Sequence, residues 1–109
     1  MPSKVRRRRF QTEVRDGVAV VRFVDPLLDE QNSWIIREQV AELGKEKGRE
    51  NLLLDFSNVK FLSSAGLGAL LALHRQQHQR GGRVSLCNLP PEIRDVFRAT
   101  RLDQVFDMK

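Results

Sequence analysis

The sequence predicts an α/β fold: a small mixed β-sheet, an N-terminal hairpin plus mostly parallel strands, with helices packed on it. Two observations carry this. Strand-like and helix-like segments follow one another in the order β-β-α-β-α-β-α, with no repeat and no long linker. One strand-like segment, residues 51–56, holds three consecutive leucines, the pattern of a strand covered on both faces in a parallel or mixed sheet.

Each element has a local reason. Residues 10–15 (FQTEVR) alternate, with Phe10, Thr12 and Val14 on one face. Asp16-Gly17 is a two-residue turn suited to a hairpin, because both positions tolerate positive φ. Residues 18–24 (VAVVRFV) form the returning strand. Asp25-Pro26 breaks it, and Asp29 or Asn32 is placed to cap a helix. Ile36, Val40 and Leu43 fall at i, i+4 and i+7, one stripe of an amphipathic helix. Gly48 stands where a terminating glycine is expected. Trp34 reads as a core or rim anchor and not as a ligand platform.

After residues 51–56, a turn rich in Ser and Asn leads through Phe61-Leu62 to Ser63-Ser64-Ala65-Gly66-Leu67-Gly68. Leu67, Leu70, Leu71 and His74 then repeat at helical spacing up to Gly81-Gly82. Residues 74–83 read as a solvated, charge-rich face. Residues 83–89 (RVSLCNL) are a further strand, on which Cys87 reads as a small core residue. Pro90-Pro91 opens a short helix, since proline suits the first helical position. Ile93, Val96 and Phe97 form its apolar stripe, and Leu102, Val105 and Phe106 pack the C-terminal turn.

A length of 109 residues fits a single domain, and 40% hydrophobic content supplies one modest core. The net charge of +5 is local: Lys4 and Arg6, Arg7, Arg8 and Arg9 account for it, and the rest holds fourteen basic against fourteen acidic residues. Residues 1–9 are read as a basic disordered tail and residues 10–109 as the single domain. That domain has no basic face, so nucleic acid and membrane are not expected partners. No apolar run approaches the ~20 residues of a membrane span. The N-terminus lacks a signal peptide's apolar stretch, and a cytoplasmic location is expected. One cysteine forms no internal disulfide, and no Cys/His cluster has zinc spacing, so neither metal nor cofactor is expected.

The segment richest in candidate chemistry is 61–68, where two serines stand between a strand and a helix. Ser64 is placed to cap that helix. A group attached there would meet free backbone N–H groups and the positive end of the helix dipole. From local physics alone this is also an ordinary capping serine in a glycine-containing turn. Enzyme readings do not fit. Gly66-x-Gly68 lacks the third glycine of a dinucleotide fingerprint, Leu71 standing in its place. No nucleophile elbow or phosphate loop is present. His74 is ten residues beyond Ser64, ~15 Å along one helix, and His78 is farther, so neither is a base for it.

Residues 53–68, LLDFSNVKFLSSAGLG, carry a resemblance to the STAS domain, shared by sulfate transporters and anti-sigma-factor antagonists. Leu28-Asp29, Gly81-Gly82-Arg83-Val84 and residues 101–106 (RLDQVF) extend it to about residues 10–107. The resemblance implies a STAS-like fold, a small mixed sheet with helices packed on it. It implies an anti-sigma-factor antagonist that binds an anti-sigma factor, itself a serine kinase, and so releases a sigma factor. By the same match Ser64 is the phosphorylated residue, and phosphorylation ends binding until a serine phosphatase restores it. Ser63 is the alternate acceptor, because it stands where an aspartate is common, and Ala65 stands where Ser or Thr is frequent. The expected partner contact is Ser63, Ser64, Ala65, Gly66 and Leu67, with no catalytic residue. Related domains also serve as soluble subunits of membrane lipid-transport complexes and as scaffolds of stress-sensing assemblies, which are the alternative functions.

Overall fold

The computed structural model describes residues 10–46 and 50–109, so the basic segment 1–9 and Gly48 lie outside the described residues. The elements are β1 (Phe10–Arg15), β2 (Val18–Phe23), β3 (Leu27–Leu28), α1 (Ser33–Lys45), β4 (Asn51–Asp55), β5 (Phe61–Leu62), α2 (Ser64–Gln79), β6 (Arg83–Cys87), α3 (Pro91–Ala99) and β7 (Asp107–Met108). A 3-10 turn at Leu102–Gln104 precedes β7. The expected order holds, with β3, β5 and β7 added to it. Each of these has two residues, too few to show a period.

The hairpin follows from its turn. Asp16 and Gly17 both take positive φ, 51° and 79°, the backbone that a tight two-residue connection requires. This sets Arg15 opposite Val18 and Phe10 opposite Phe23. Phe10 is buried, whereas Thr12 and Val14 on the same face are exposed. The helix layer does not extend over the far half of this edge strand.

The main sheet runs β1-β2-β4-β6-β7, antiparallel between β1 and β2 and parallel thereafter. Each crossover steps to the next strand in the same direction. A right-handed crossover then lays every helix on the same face. Ala19, Val21, Phe23, Leu52, Leu54, Val84 and Leu86 are buried beneath that layer. Their alternates, including Val20, Arg22, Leu53, Ser85 and Cys87, line a concavity of about 710 Å³ on the other face. The expectation that both faces of residues 51–56 are covered is therefore corrected: Leu53 is only half-buried. Cys87 is likewise half-buried on this open face and not part of the core.

The core is built on aromatic edges. Phe23 meets Phe56 at 5.3 Å, Phe56 meets Phe97 at 6.2 Å, and Phe97 meets Phe106 at 5.8 Å, each pair near-perpendicular. Such pairs add ~0.5–1.5 kcal/mol beyond the area they bury. Val105 is 41% exposed, so the C-terminal turn packs through Leu102 and Phe106. The reading of residues 74–83 as a solvated face fails at Gln77, which is fully buried. Its Nε2 donates to the Glu50 carbonyl at 2.8 Å, and its Oε1 accepts from Arg80 at 2.9 Å. With both ends satisfied, the amide joins α2 to the start of β4 at modest cost.

Candidate functional site

The segment between β4 and α2 is tied down along its length. The Asn58 side-chain amide donates to the Phe23 carbonyl at 3.2 Å. The N–H groups of Lys60 and Phe61 both donate to Pro26, and that of Ser63 donates to Leu28. Through β3 and β5, Leu27 stands opposite Phe61 and Leu28 opposite Leu62. The chain thus reaches α2 in a fixed direction.

Ser63, not Ser64, caps α2. Its backbone is extended (φ −85°, ψ 174°), and its Oγ accepts the Gly66 N–H at 3.2 Å. The placement of the cap at Ser64 is corrected by one residue: Ser64 is already helical, as the first residue of α2, and is exposed. The hydroxyl lies where unsatisfied N–H groups and the positive end of the helix dipole concentrate.

The other expected contact residues are disposed unequally. Ala65 is half-buried, Gly66 is buried, and Leu67 packs partly against the core. A Cβ at Gly66 would stand 2.6 Å from Leu62 Cδ1 and 2.7 Å from the Leu28 carbonyl oxygen, so β3 and β5 approach too closely for any side chain. Gly66 therefore shapes the site without presenting a side chain to it. Beside Ala65 lies a groove of about 310 Å³ between α1 and α2, walled by Trp34, Arg37, Ala65, Gly68 and Ala69. Trp34 is at the rim, 46% exposed. Leu27 and Phe61 are exposed as well. The rim position of Trp34 agrees with its reading as a core or rim anchor, whereas the exposure of Leu27 and Phe61 had no sequence signal, because two-residue strands show no period.

The start of α1 borders the same region. Asn32 holds the N-cap position, but its side chain makes no capping bond to the helix. It instead donates to the Leu27 carbonyl at 2.7 Å and accepts the Asp29 N–H at 3.0 Å. The Asp29 carbonyl in turn accepts the N–H and hydroxyl of Ser33. These bonds brace the loop that carries β3.

A polar network not foreseen from sequence lies at the ends of β2, β4 and β6, on the open face. Asp55, almost wholly buried, accepts from Arg22 at 3.1 Å, from the Ser57 N–H at 2.9 Å and from Asn88 at 3.3 Å. Asn88 has φ 56°, a left-handed conformation that asparagine tolerates. Burial alone pulls the Asp55 carboxyl upward, but bonds from Ser57, Arg22 and Asn88 outweigh it and hold the pKa below the usual value. Burial, followed by the charge of Asp55, pushes the Cys87 thiol up, disfavouring thiolate.

His74 lies well along α2, its ring 5.4 Å from Phe106 and 6.1 Å from His78. Both histidines therefore belong to the far half of the helix from Ser64. Among the described residues, no three His, Cys, Asp or Glu side chains form a metal-binding group, and no helix is long and apolar enough to cross a membrane.

Known proteins share this fold. The chain is 29% identical over 96 residues to the anti-sigma F factor antagonist of Paenibacillus polymyxa, spanning 88% of this chain and 81% of that protein. It superposes on the anti-sigma factor antagonist SpoIIAA in its unphosphorylated form with a TM-score of 0.76 and 25% identity, over 92% of this chain and 87% of that one. On the Bacillus cell fate determinant SpoIIAA in the phosphorylated form, the TM-score is 0.69 with 26% identity, over 92% and 90% of the two chains. The family model described as STAS domain matches residues 9–109. The resemblance read from residues 53–68 thus extends across the whole described fold, and the chain belongs to the STAS domain family.

Proposed function

We propose that this chain is an anti-sigma-factor antagonist, binding an anti-sigma factor and switched off by phosphate on Ser64. The observation that carries the reading is the position of Ser64, an exposed hydroxyl on the first residue of α2. Relatives named as anti-sigma factor antagonists support it, one of them solved in both unphosphorylated and phosphorylated forms.

In this reading the unmodified chain offers a small neutral hydroxyl to the anti-sigma factor, and the sigma factor is released. The anti-sigma factor is also the serine kinase, and its action on Ser64 ends the complex; a serine phosphatase reverses this. The chain contributes a surface and an acceptor and catalyses nothing. Ser63 is the lesser acceptor, because its Oγ already serves as the cap for the Gly66 N–H. A phosphate on Ser64 adds about −1.5 to −2 charge at a helix start that tolerates it. The effect therefore falls on the partner surface and not on the fold.

Phosphopeptide mapping after incubation with the cognate kinase and ATP tests the assignment. Phosphate on Ser64 is expected. Phosphate on Ser63 alone, or none on a kinase-bound chain, overturns it.

A further inference from the structure

We infer that Gly68 is kept free of a side chain for a partner and not for the fold, and that with Trp34 it forms the contact that grips an anti-sigma factor beside Ser64. The inference rests on the proposed function and deepens it. The two glycines at the start of α2 differ in kind. At Gly66 a Cβ would collide with Leu62 and with the Leu28 carbonyl, so the fold demands glycine there. At Gly68 a Cβ would meet nothing within 4 Å among the described residues, and φ is not positive. Glycine is the poorest residue inside a helix after proline. Position 68 therefore carries a destabilising residue that no contact among the described residues requires.

What stands in front of it is the groove between α1 and α2, with Trp34 on the opposite wall. An exposed tryptophan flanking a concavity is the usual form of an interface anchor. The rim holds Glu30 and Arg37, one charge of each sign, which suits a protein surface better than a nucleic acid or an anionic membrane. Ala65 is both a wall of this groove and the neighbour of Ser64. A kinase that closes on the Ser64 hydroxyl must also cover Ala65, and so its surface continues into the groove. The occupant is thus a large apolar side chain of the anti-sigma factor, seated between Trp34 and the bare Cα of Gly68. A methyl group at position 68 takes up part of that space.

The test uses the full chain and the purified anti-sigma kinase that binds Ser64→Ala, with affinities by titration calorimetry and Tm by calorimetric scanning. Gly68→Ala is expected to raise Tm by about 4 °C or more, yet to weaken binding about tenfold. Trp34→Ala is expected to weaken binding as much, which covers the inference through a second residue. Gly66→Ala, the control, lowers Tm. If Gly68→Ala and Trp34→Ala bind as the native chain does while Ser64→Glu fails to bind, the inference falls and the proposed function stands. If no form of the chain binds an anti-sigma kinase, both fall. A dimer in sedimentation that Gly68→Ala dissociates would give the groove to a second copy and also overturn the inference.

Discussion

Arg22 and Asp55 stand directly opposite one another on β2 and β4, and the guanidinium Nε lies 3.1 Å from the carboxylate Oδ2. The aspartate is almost fully buried and the arginine about half exposed, so one partner depends on the pair far more than the other. Asp55 also accepts from Ser57 and Asn88, and thereby joins three segments that are distant in sequence.

Asp55→Ala is expected to destabilise the fold by about 1–3 kcal/mol at pH 7, because it leaves the Ser57 N–H and the Asn88 amide without their acceptor. The native carboxyl has a pKa below its unfolded value, so its contribution is fully present above the unfolded pKa of ~3.9 and is lost as pH falls through the folded value. The gap between native and Asp55→Asn stabilities should hold from about pH 5 to 8 and narrow below about pH 4. Urea unfolding across that range measures it, and a gap that widens in acid would contradict the assignment.

Ser63→Ala should cost about 0.5–2 kcal/mol through loss of the cap to Gly66. Ser64→Ala should change stability by less than about 0.5 kcal/mol, being an exposed first-turn substitution. Equal effects in denaturant titrations would mean that the cap has been placed on the wrong serine.

Ser64→Ala is expected to bind the anti-sigma kinase persistently, and Ser64→Glu to bind it poorly, with both variants folded. A loss of ~2.8 kcal/mol corresponds to about a hundredfold in Kd. Glutamate carries less charge than phosphate, so its defect should be the smaller of the two. Calorimetric titration of native, phosphorylated and Glu forms gives the order directly, and tight binding by the phosphorylated chain would refute the switch.

Gln77→Leu keeps the volume but removes the donor to Glu50 and the acceptor for Arg80, and should cost about 1–3 kcal/mol. Thermal and urea unfolding read this out. A neutral result would show that the Glu50 carbonyl is satisfied by the Arg83 N–H alone, 3.2 Å away.

The legibility of these features in the sequence varied with their range. The hairpin could be read because Asp16-Gly17 is a local device and its flanking strands alternate. The buried face of α1 could be read because Ile36, Val40 and Leu43 repeat at helical spacing, and all three are buried. The open sheet face could not, since three leucines in a row do not state which way the crossovers turn. Asp55 lay inside an apolar run, and its partners Arg22 and Asn88 are each 33 residues away. Gln77 was hidden by its polarity, because only the tertiary contact with Glu50 makes burial affordable. The cap was misplaced by one residue, a common error at helix ends, where adjacent serines have the same chemistry. The residues of the Ser64 surround could be named in part, but their exposure could not, since that depends on β3 pairing with β5.

In the main sheet, spatial order repeats chain order, β1-β2-β4-β6-β7. No strand has to be inserted between two already paired, and each newly synthesised strand needs only its predecessor as a template. A chain emerging from the ribosome can therefore assemble this sheet outward from the hairpin, one crossover at a time. The last strand, β7, ends one residue from Lys109, whose N–H bonds to Leu86. Closure of that edge must wait until β7, the strand of this sheet that comes last in chain order, has left the exit tunnel. A nascent chain stalled with β7 still inside the tunnel should already hold the hairpin and lack the far edge of the sheet.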